Sequence, residues 1–102
     1  MQPKTTMCFL PATHLLFDTV AFELKRFLKL LDAHQKASFL LELKQVLQCD
    51  TAGLALLIEI KRLCRANQCS LLIQNMPDIM LDLAKFCGVS HLFLGELAHD
   101  KP

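Results

Sequence analysis

Short runs of apolar residues recur along the chain and predict strands. They lie at 6–10 (TMCFL, closed by Pro11), 38–43 (SFLLEL) and 70–74 (SLLIQ). The second run is nearly all apolar, as expected for a strand buried on both faces of a sheet, and the third predicts a second buried strand. A further run at 91–94 (HLFL) predicts either a last short strand or a segment packed against the sheet.

Between these runs, apolar residues recur at helical spacing and predict helices. The first covers 17–34, with Asp18 as its N-cap, and the second covers 50–67. A third opens at Pro77, a residue favoured in the first turn, and ends at Gly88, which fits the left-handed residue after a helix. The first helix is predicted to bury Val20, Leu24, Phe27, Leu28 and Leu31 and to keep Glu23, Lys25, Arg26 and Lys29 on its other sides.

Strand and helix alternate from residue 38 onward with short connections, which predicts right-handed crossovers and a mainly parallel sheet. The predicted fold class is α/β, with one mixed, mostly parallel sheet of about four to five strands covered by about three to four helices. A chain of 102 residues suffices for a single core. We therefore expect one domain over 1–102, with a frayed tail at 98–102.

The second helix carries more apolar surface than one core face needs. At about 100° per residue, its core stripe centres on Ile60, and an apolar strip with basic residues beyond it lies on the opposite side. Isolated exposed apolar residues are common, and a rotation of about 20–30° would bring Leu54 to the edge of the core. We interpret the strip as a docking surface for another protein. The predicted core residues are Gly53, Leu56, Leu57, Ile60, Leu63 and Cys64, and the predicted partner-binding residues are Thr51, Leu54, Ala55, Ile58 and Arg62.

Composition narrows the class of protein. Apolar residues make up 53% of the chain and charged residues 21%, with a net charge of +1 and no tryptophan or tyrosine. Such a balance argues against nucleic-acid binding, because no basic surplus exists to displace counterions from phosphates. The first residues lack the apolar run of a signal peptide, and no stretch is long enough to span a bilayer. We expect a cytoplasmic protein without direct membrane insertion.

Cysteine usage points to reduced thiols. The count of five is odd, no secretion signal is present, and no spacing matches a metal site. Cys8, Cys64 and Cys87 are predicted on apolar faces, where cysteine packs as a small hydrophobe. Cys49 has the one plausible reactive setting, but the neighbouring carboxylate of Asp50 should raise its pKa.

Residues that would carry catalysis are missing from the sequence. The histidines at 14, 34, 91 and 99 are scattered over loops and ends, and no nucleophile–base set can be nominated. Gly53 stands alone, whereas a phosphate-binding loop needs several glycines or a G-K-[ST] ending. We therefore expect a binding module with no catalytic residues, no metal and no cofactor.

The stretch 39–93 resembles the STAS family, named for sulphate transporters and anti-sigma factor antagonists. It is similar to that family in Asp50-Thr51-Ala52-Gly53-Leu54, which opens a helix after a strand and a loop, and in LAKFCGV at 83–89. The resemblance implies the STAS fold, structural roles for Asp50 and Gly53, and a contact role for Thr51. Either Asp50 or Thr51 could cap the helix by accepting a hydrogen bond from a first-turn amide.

Within the STAS family, the segment DTAGLALL most resembles the corresponding segment of the small cytoplasmic subunit of a phospholipid-trafficking ABC transporter. This resemblance implies a non-catalytic subunit that binds the transporter's ATPase, and through it the permease, peripherally on the inner membrane. Such a subunit would support assembly and activity of the transporter and help maintain outer-membrane lipid asymmetry.

The alternative within the family is an anti-sigma factor antagonist that is switched by phosphorylation of Thr51. A helix N-terminus suits an added phosphate. Threonine in place of the usual serine, and Ala52 in place of a second serine, favour the transporter subunit instead.

Overall fold

A computed structural model describes residues 6–93 as an α/β domain. Strands and helices alternate along the chain and end in a 3₁₀ helix at Ser90–Phe93. The predicted frayed tail and residue 94 of the last apolar run lie outside the described residues. The strands are β1 (Thr6–Phe9), β2 (His14–Leu15), β3 (Ser38–Glu42), β4 (Gln48–Cys49) and β5 (Ser70–Gln74), and the helices are α1 (Val20–Ala33), α2 (Thr51–Ala66) and α3 (Asp78–Phe86).

The main sheet is parallel and has the order β1-β3-β5. Its register aligns Phe9 with Leu41 and Leu41 with Ile73, and all three side chains are buried. A second, two-stranded parallel sheet joins β2 to β4. This small sheet was not predicted, because two residues are too few to show an apolar period. The predicted α/β class and mostly parallel strands are confirmed.

The prediction that β5 is buried on both faces is wrong. β5 lies at an edge of the main sheet, where Ile73 is buried while Ser70 and Leu72 are exposed. Exposure alternates along β5 because successive side chains point to opposite faces of a sheet. Only one of those faces at this edge meets the helices and the core.

Helix α1 also differs from its prediction at three positions. Leu28, predicted to be buried, is only half-buried and does not pack against the core. The N-cap of α1 is Thr19, not Asp18, because the helix begins at Val20. Glu23 is buried, although the pattern placed it on an outer side. Its carboxylate accepts hydrogen bonds from Ala12 N at 3.0 Å and from Arg26 Nη1 at 2.5 Å. A buried carboxylate needs such partners, and here they tie α1 to the segment after β1.

Helix α3 ends as its glycine predicts. Gly88 has a φ of 76°, in the left-handed region that few other residues adopt without cost. The amide of Gly88 donates to Lys85 O at 3.0 Å, and that of Val89 donates to Ala84 O at 2.9 Å. This pair of bonds is the Schellman arrangement that satisfies the last carbonyls of a helix.

Two of the cysteine predictions are wrong. Cys64 is buried as expected, but Cys8 and Cys87 are exposed. Cys8 lies on the face of β1 opposite to the buried Phe9, and Cys87 follows the last residue of α3. Cys69, for which no face was predicted, is buried. Cys64 and Cys69 therefore both lie in the core at the carboxyl-terminal end of α2.

Candidate partner-binding site

Asp50 joins the start of α2 to the turn before α1. Its Oδ1 accepts a hydrogen bond from Gly53 N at 3.1 Å, and its Oδ2 accepts one from Phe17 N at 2.9 Å. These bonds, led by the one from Phe17, lower the pKa of the Asp50 carboxyl. One side chain thus caps α2 and fixes the backbone of Phe17 beside it.

Gly53 lies where α2 crosses the small β2–β4 sheet. A Cβ atom at this position would be 2.4 Å from the carbonyl oxygen of Leu15 and 2.6 Å from Sγ of Cys49. Real Cβ atoms essentially never come so close to other heavy atoms. The glycine therefore allows the first turn of the helix to rest directly on the backbone of β2. Asp50 and Gly53, predicted as structural residues, therefore lie where the helix cap and the close contact with β2 are made.

Thr51 is the first residue of α2, and its side chain is exposed. The capping bond is made by Asp50, so the hydroxyl of Thr51 is not the cap. Within residues 6–93 this hydroxyl makes no hydrogen bond, while the adjacent amides of the first turn point toward the same end of the helix. Thr51 thus presents a free hydroxyl at a helix N-terminus.

The predicted position of Leu54 on the outer strip is wrong. Leu54 is 2% exposed and belongs to the hydrophobic core, so it cannot touch a partner at the surface. Its burial matches the alternative in which α2 is rotated toward Leu54. Ile58 is half-buried and packs against the core, whereas Ala55 and Arg62 are exposed. The outward face of α2 is therefore narrower than predicted, and of the predicted residues it keeps Thr51, Ala55, Arg62 and part of Ile58.

An apolar groove between α1 and α2 extends this face. It has a volume of about 490 Å³, and its walls carry almost no polar surface apart from Glu59. Phe17 lines the groove and is 82% exposed. Ala55 belongs both to the outward face of α2 and to the groove. The groove is lined by Phe17, Val20, Ala21, Leu24, Ala52, Ala55, Leu56 and Glu59.

Sequence reasoning missed Phe17 as a surface residue. The apolar pattern predicts Phe17 as the start of the first helix, but that helix begins at Val20. No local signal marked this exposure, because an apolar residue just before a helix often packs against that helix. The hydrogen bond from Phe17 N to Asp50 spans 33 residues and could not be inferred from local pattern.

Arg62 marks the far end of the outward face. Its guanidinium donates to both carboxylate oxygens of Glu59, at 2.9 and 2.6 Å. The hydrogen bond with Arg62 lowers the pKa of Glu59, and the same bond raises the pKa of Arg62. Both side chains are at the surface, where such a pair contributes little to stability. A partner with a carboxylate could bind Arg62 by displacing Glu59.

Cys49 lies beneath the helix start and is half-buried. Burial, followed by the negative charge of Asp50, raises the pKa of this thiol to about 11. The predicted rise in the pKa of Cys49 is confirmed, but burial contributes more to it than the charge of Asp50 does. The thiol donates to Asp50 O at 3.3 Å. Neutral at pH 7, Cys49 is a packing residue and a poor nucleophile.

The described part of the chain holds no cluster of three or more histidine, cysteine, aspartate or glutamate side chains that could bind a metal ion. No helix within residues 6–93 is both long and apolar enough to cross a bilayer. The candidate site is therefore the exposed apolar groove between α1 and α2, which lies beside the free hydroxyl of Thr51 at the N-terminus of α2.

A parallel sheet and a helix that is capped by Asp50 and opens with Thr-Ala-Gly-Leu together define a STAS-type domain. Residues 13–96 match the family model described as "Mlab, STAS domain". That match covers most of the chain, so the protein belongs to this STAS family, and its domain is similar to MlaB. Comparisons with curated proteins and with solved structures gave no match.

Proposed function

We propose that this protein is a non-catalytic subunit of a phospholipid-trafficking ABC transporter and binds its cytoplasmic ATPase. In this role it supports assembly and activity of the complex, is held peripherally on the inner membrane through the ATPase and permease, and helps maintain outer-membrane lipid asymmetry. The family match supports this reading, because STAS domains are generally non-catalytic and this branch is described by the name MlaB.

The observation that carries the proposal is the apolar groove between α1 and α2, continuous with the outward face of α2. Phe17 is 82% exposed there, and Ala55 joins the two surfaces. A large aromatic side chain held out into water costs free energy until a partner covers it. Since Asp50 fixes the backbone of Phe17, the ring is presented from a fixed position. This suits a lasting subunit contact, in which one aromatic anchor provides much of the affinity.

Co-purification with the ATPase from mild detergent tests the proposal with two matched truncations. Phe17→Ala removes an anchor from the groove, and Phe86→Ala removes an equally exposed ring, 89% exposed, at the end of α3. We expect Phe17→Ala to weaken the complex about tenfold or more and Phe86→Ala to leave it nearly unchanged. Equal losses, or none with Phe17→Ala, would contradict the proposed surface.

Ala55→Asp is the second test, because it adds a charge at the centre of the surface. Ala55 is exposed in α2, so the substitution should leave the melting temperature within a few degrees of wild type. The same charge buried in an interface should abolish co-purification. A folded Ala55→Asp protein that still holds the ATPase would place the contact elsewhere.

An anti-sigma factor antagonist is the second candidate, favoured by the free hydroxyl of Thr51 at the start of α2. A phosphate there would be stabilised by the helix N-terminus. In this case a cognate kinase should add one phosphate to the wild-type protein and none to Thr51→Ala. Absence of phosphate on protein isolated from growing and starved cells would exclude this switch.

A further inference from the structure

The carboxyl-terminal cap of α2 brings two cysteines together. Gln68 has a φ of 59°, and its amide donates to Arg65 O at 3.2 Å. The amide of Cys69 donates to the carbonyl oxygen of Cys64 at 2.8 Å. These are the two bonds of a Schellman motif, in which the side chains of the two residues joined by the longer-range bond are usually in apolar contact.

Helix α3 ends with the same motif and shows the usual choice of residues. Its corresponding pair is Ala84 and Val89, both apolar and chemically inert. In α2 the pair is Cys64 and Cys69, which are 1% and 8% exposed. Two thiols therefore stand at the positions where the other cap has hydrocarbon side chains.

Backbone geometry fits a covalent link between these thiols. With the hydrogen bond of 2.8 Å between them, standard bond lengths limit the separation of their Cα atoms to at most about 6.7 Å. Disulfides span Cα separations of about 4.4–6.8 Å. Both cysteines also line one cavity of about 290 Å³, together with Lys61, Arg65 and Ser70. A small oxidant that enters this cavity meets both residues.

We propose that Cys64 and Cys69 form a redox-active dithiol that hydrogen peroxide converts into an intrachain disulfide. One thiolate attacks the peroxide and becomes a sulfenic acid, while the peroxide bond breaks and hydroxide leaves, taking up a proton as water. The sulfur of the second cysteine then displaces the sulfenic hydroxyl as a second water, and the S–S bond forms. Two electrons pass from the thiols to one peroxide. The disulfide fixes the end of α2 to the residue before β5 and is reversed by a dithiol reductant.

Peptide mapping of the full chain tests the proposal, because Arg65 separates the two cysteines for trypsin. Cleavage after Arg62, Arg65 and Lys85 gives the peptides 63–65 and 66–85. After peroxide treatment and alkylation, we expect these two peptides joined, about 2 Da lighter than their summed reduced masses. Dithiothreitol should restore both separate peptides.

The matched control uses two variants of the full chain. One keeps only Cys64 and Cys69, through Cys8→Ser, Cys49→Ser and Cys87→Ser. The other keeps only the exposed Cys8 and Cys87, through Cys49→Ser, Cys64→Ala and Cys69→Ser. Under peroxide the first should lose both free thiols and remain a monomer on a non-reducing gel, and the second should form no intrachain link. The proposal would be overturned by unreacted thiols or sulfinic acid at Cys64 and Cys69, or by a disulfide that forms only between chains. If a variant fails to fold, the peptide map of the wild-type protein decides the question.

Discussion

Replacing Gly53 by alanine tests how closely α2 rests on the small β2–β4 sheet. In an exposed helix the change would stabilise the protein by about 0.8–1 kcal/mol, because alanine is the better helix former. Here the new Cβ would lie 2.4 Å from the carbonyl oxygen of Leu15 and 2.6 Å from Sγ of Cys49. Overpacking usually costs about 1–3 kcal/mol. The nearest atom is backbone held by a strand pair, so we expect the upper end of that cost and a net loss of about 2 kcal/mol.

Thermal unfolding followed by circular dichroism measures this loss. For a domain of this size, about 2 kcal/mol lowers the melting temperature by about 8–16 °C. Ala55→Gly on the exposed side of α2 is the control, since it lacks any close contact and should lose only about 1 kcal/mol. A Gly53→Ala protein that melts at or above the wild-type temperature would refute the close approach.

The double variant Gly53→Ala, Cys49→Ala separates the two obstacles. It removes the sulfur but leaves the carbonyl oxygen of Leu15, so it should recover only a small part of the lost stability. Full recovery would mean that the thiol, and not the backbone of β2, sets the distance between helix and sheet.

Three further predictions concern single contacts. Thr51→Ala should change the free energy of unfolding by less than about 0.5 kcal/mol in urea titrations, because the hydroxyl makes no bond that the fold uses. The lowered pKa of Asp50 means that this carboxylate stabilises the fold above the ordinary aspartate pKa of about 4 and that the contribution is lost as pH falls further. Asp50→Asn should therefore flatten the acid limb of a stability-against-pH curve, and an unchanged limb would contradict it. Gln68→Gly should stabilise the protein by about 0.5–1 kcal/mol, because glycine adopts the φ of 59° without strain.

The main elements were predictable from sequence because each had a strong local signal. The apolar runs gave β1, β3 and β5, and β5 was located residue for residue at 70–74. Gly88 follows the end of α3 as predicted, whereas Pro77 is the N-cap and not the first helical residue, because its ψ of 155° is extended and the helix begins at Asp78. Such signals are the backbone preferences of single residues and the spacing of apolar residues, and both can be read directly from a sequence.

The errors arise where distant residues decide the outcome. The burial of Leu54 depends on how far α2 is rotated about its axis, and a single apolar period fixes that rotation only loosely. The burial of Glu23 depends on an amide donor at Ala12, 11 residues away, and on Arg26. The exposure of Cys87 depends on α3 ending at Phe86. The rotation of α2 and the amide of Ala12 cannot be read from the local pattern, whereas Arg26 is a local i,i+3 neighbour of Glu23.

Neighbouring residues of the motif at the start of α2 have different roles. Asp50 caps the helix and holds Phe17, and Gly53 sets the helix on β2, so both are used by the fold. Thr51 lies between them in sequence, yet its side chain is exposed and is not bonded within the described residues. The fold does not use the hydroxyl of Thr51, but its neighbours Asp50 and Gly53 hold it at a fixed place. The hydroxyl therefore remains available to a partner or a kinase. Losses of stability should therefore follow substitutions at Asp50 and Gly53, while losses of binding without loss of stability should follow substitutions at Thr51 and Ala55.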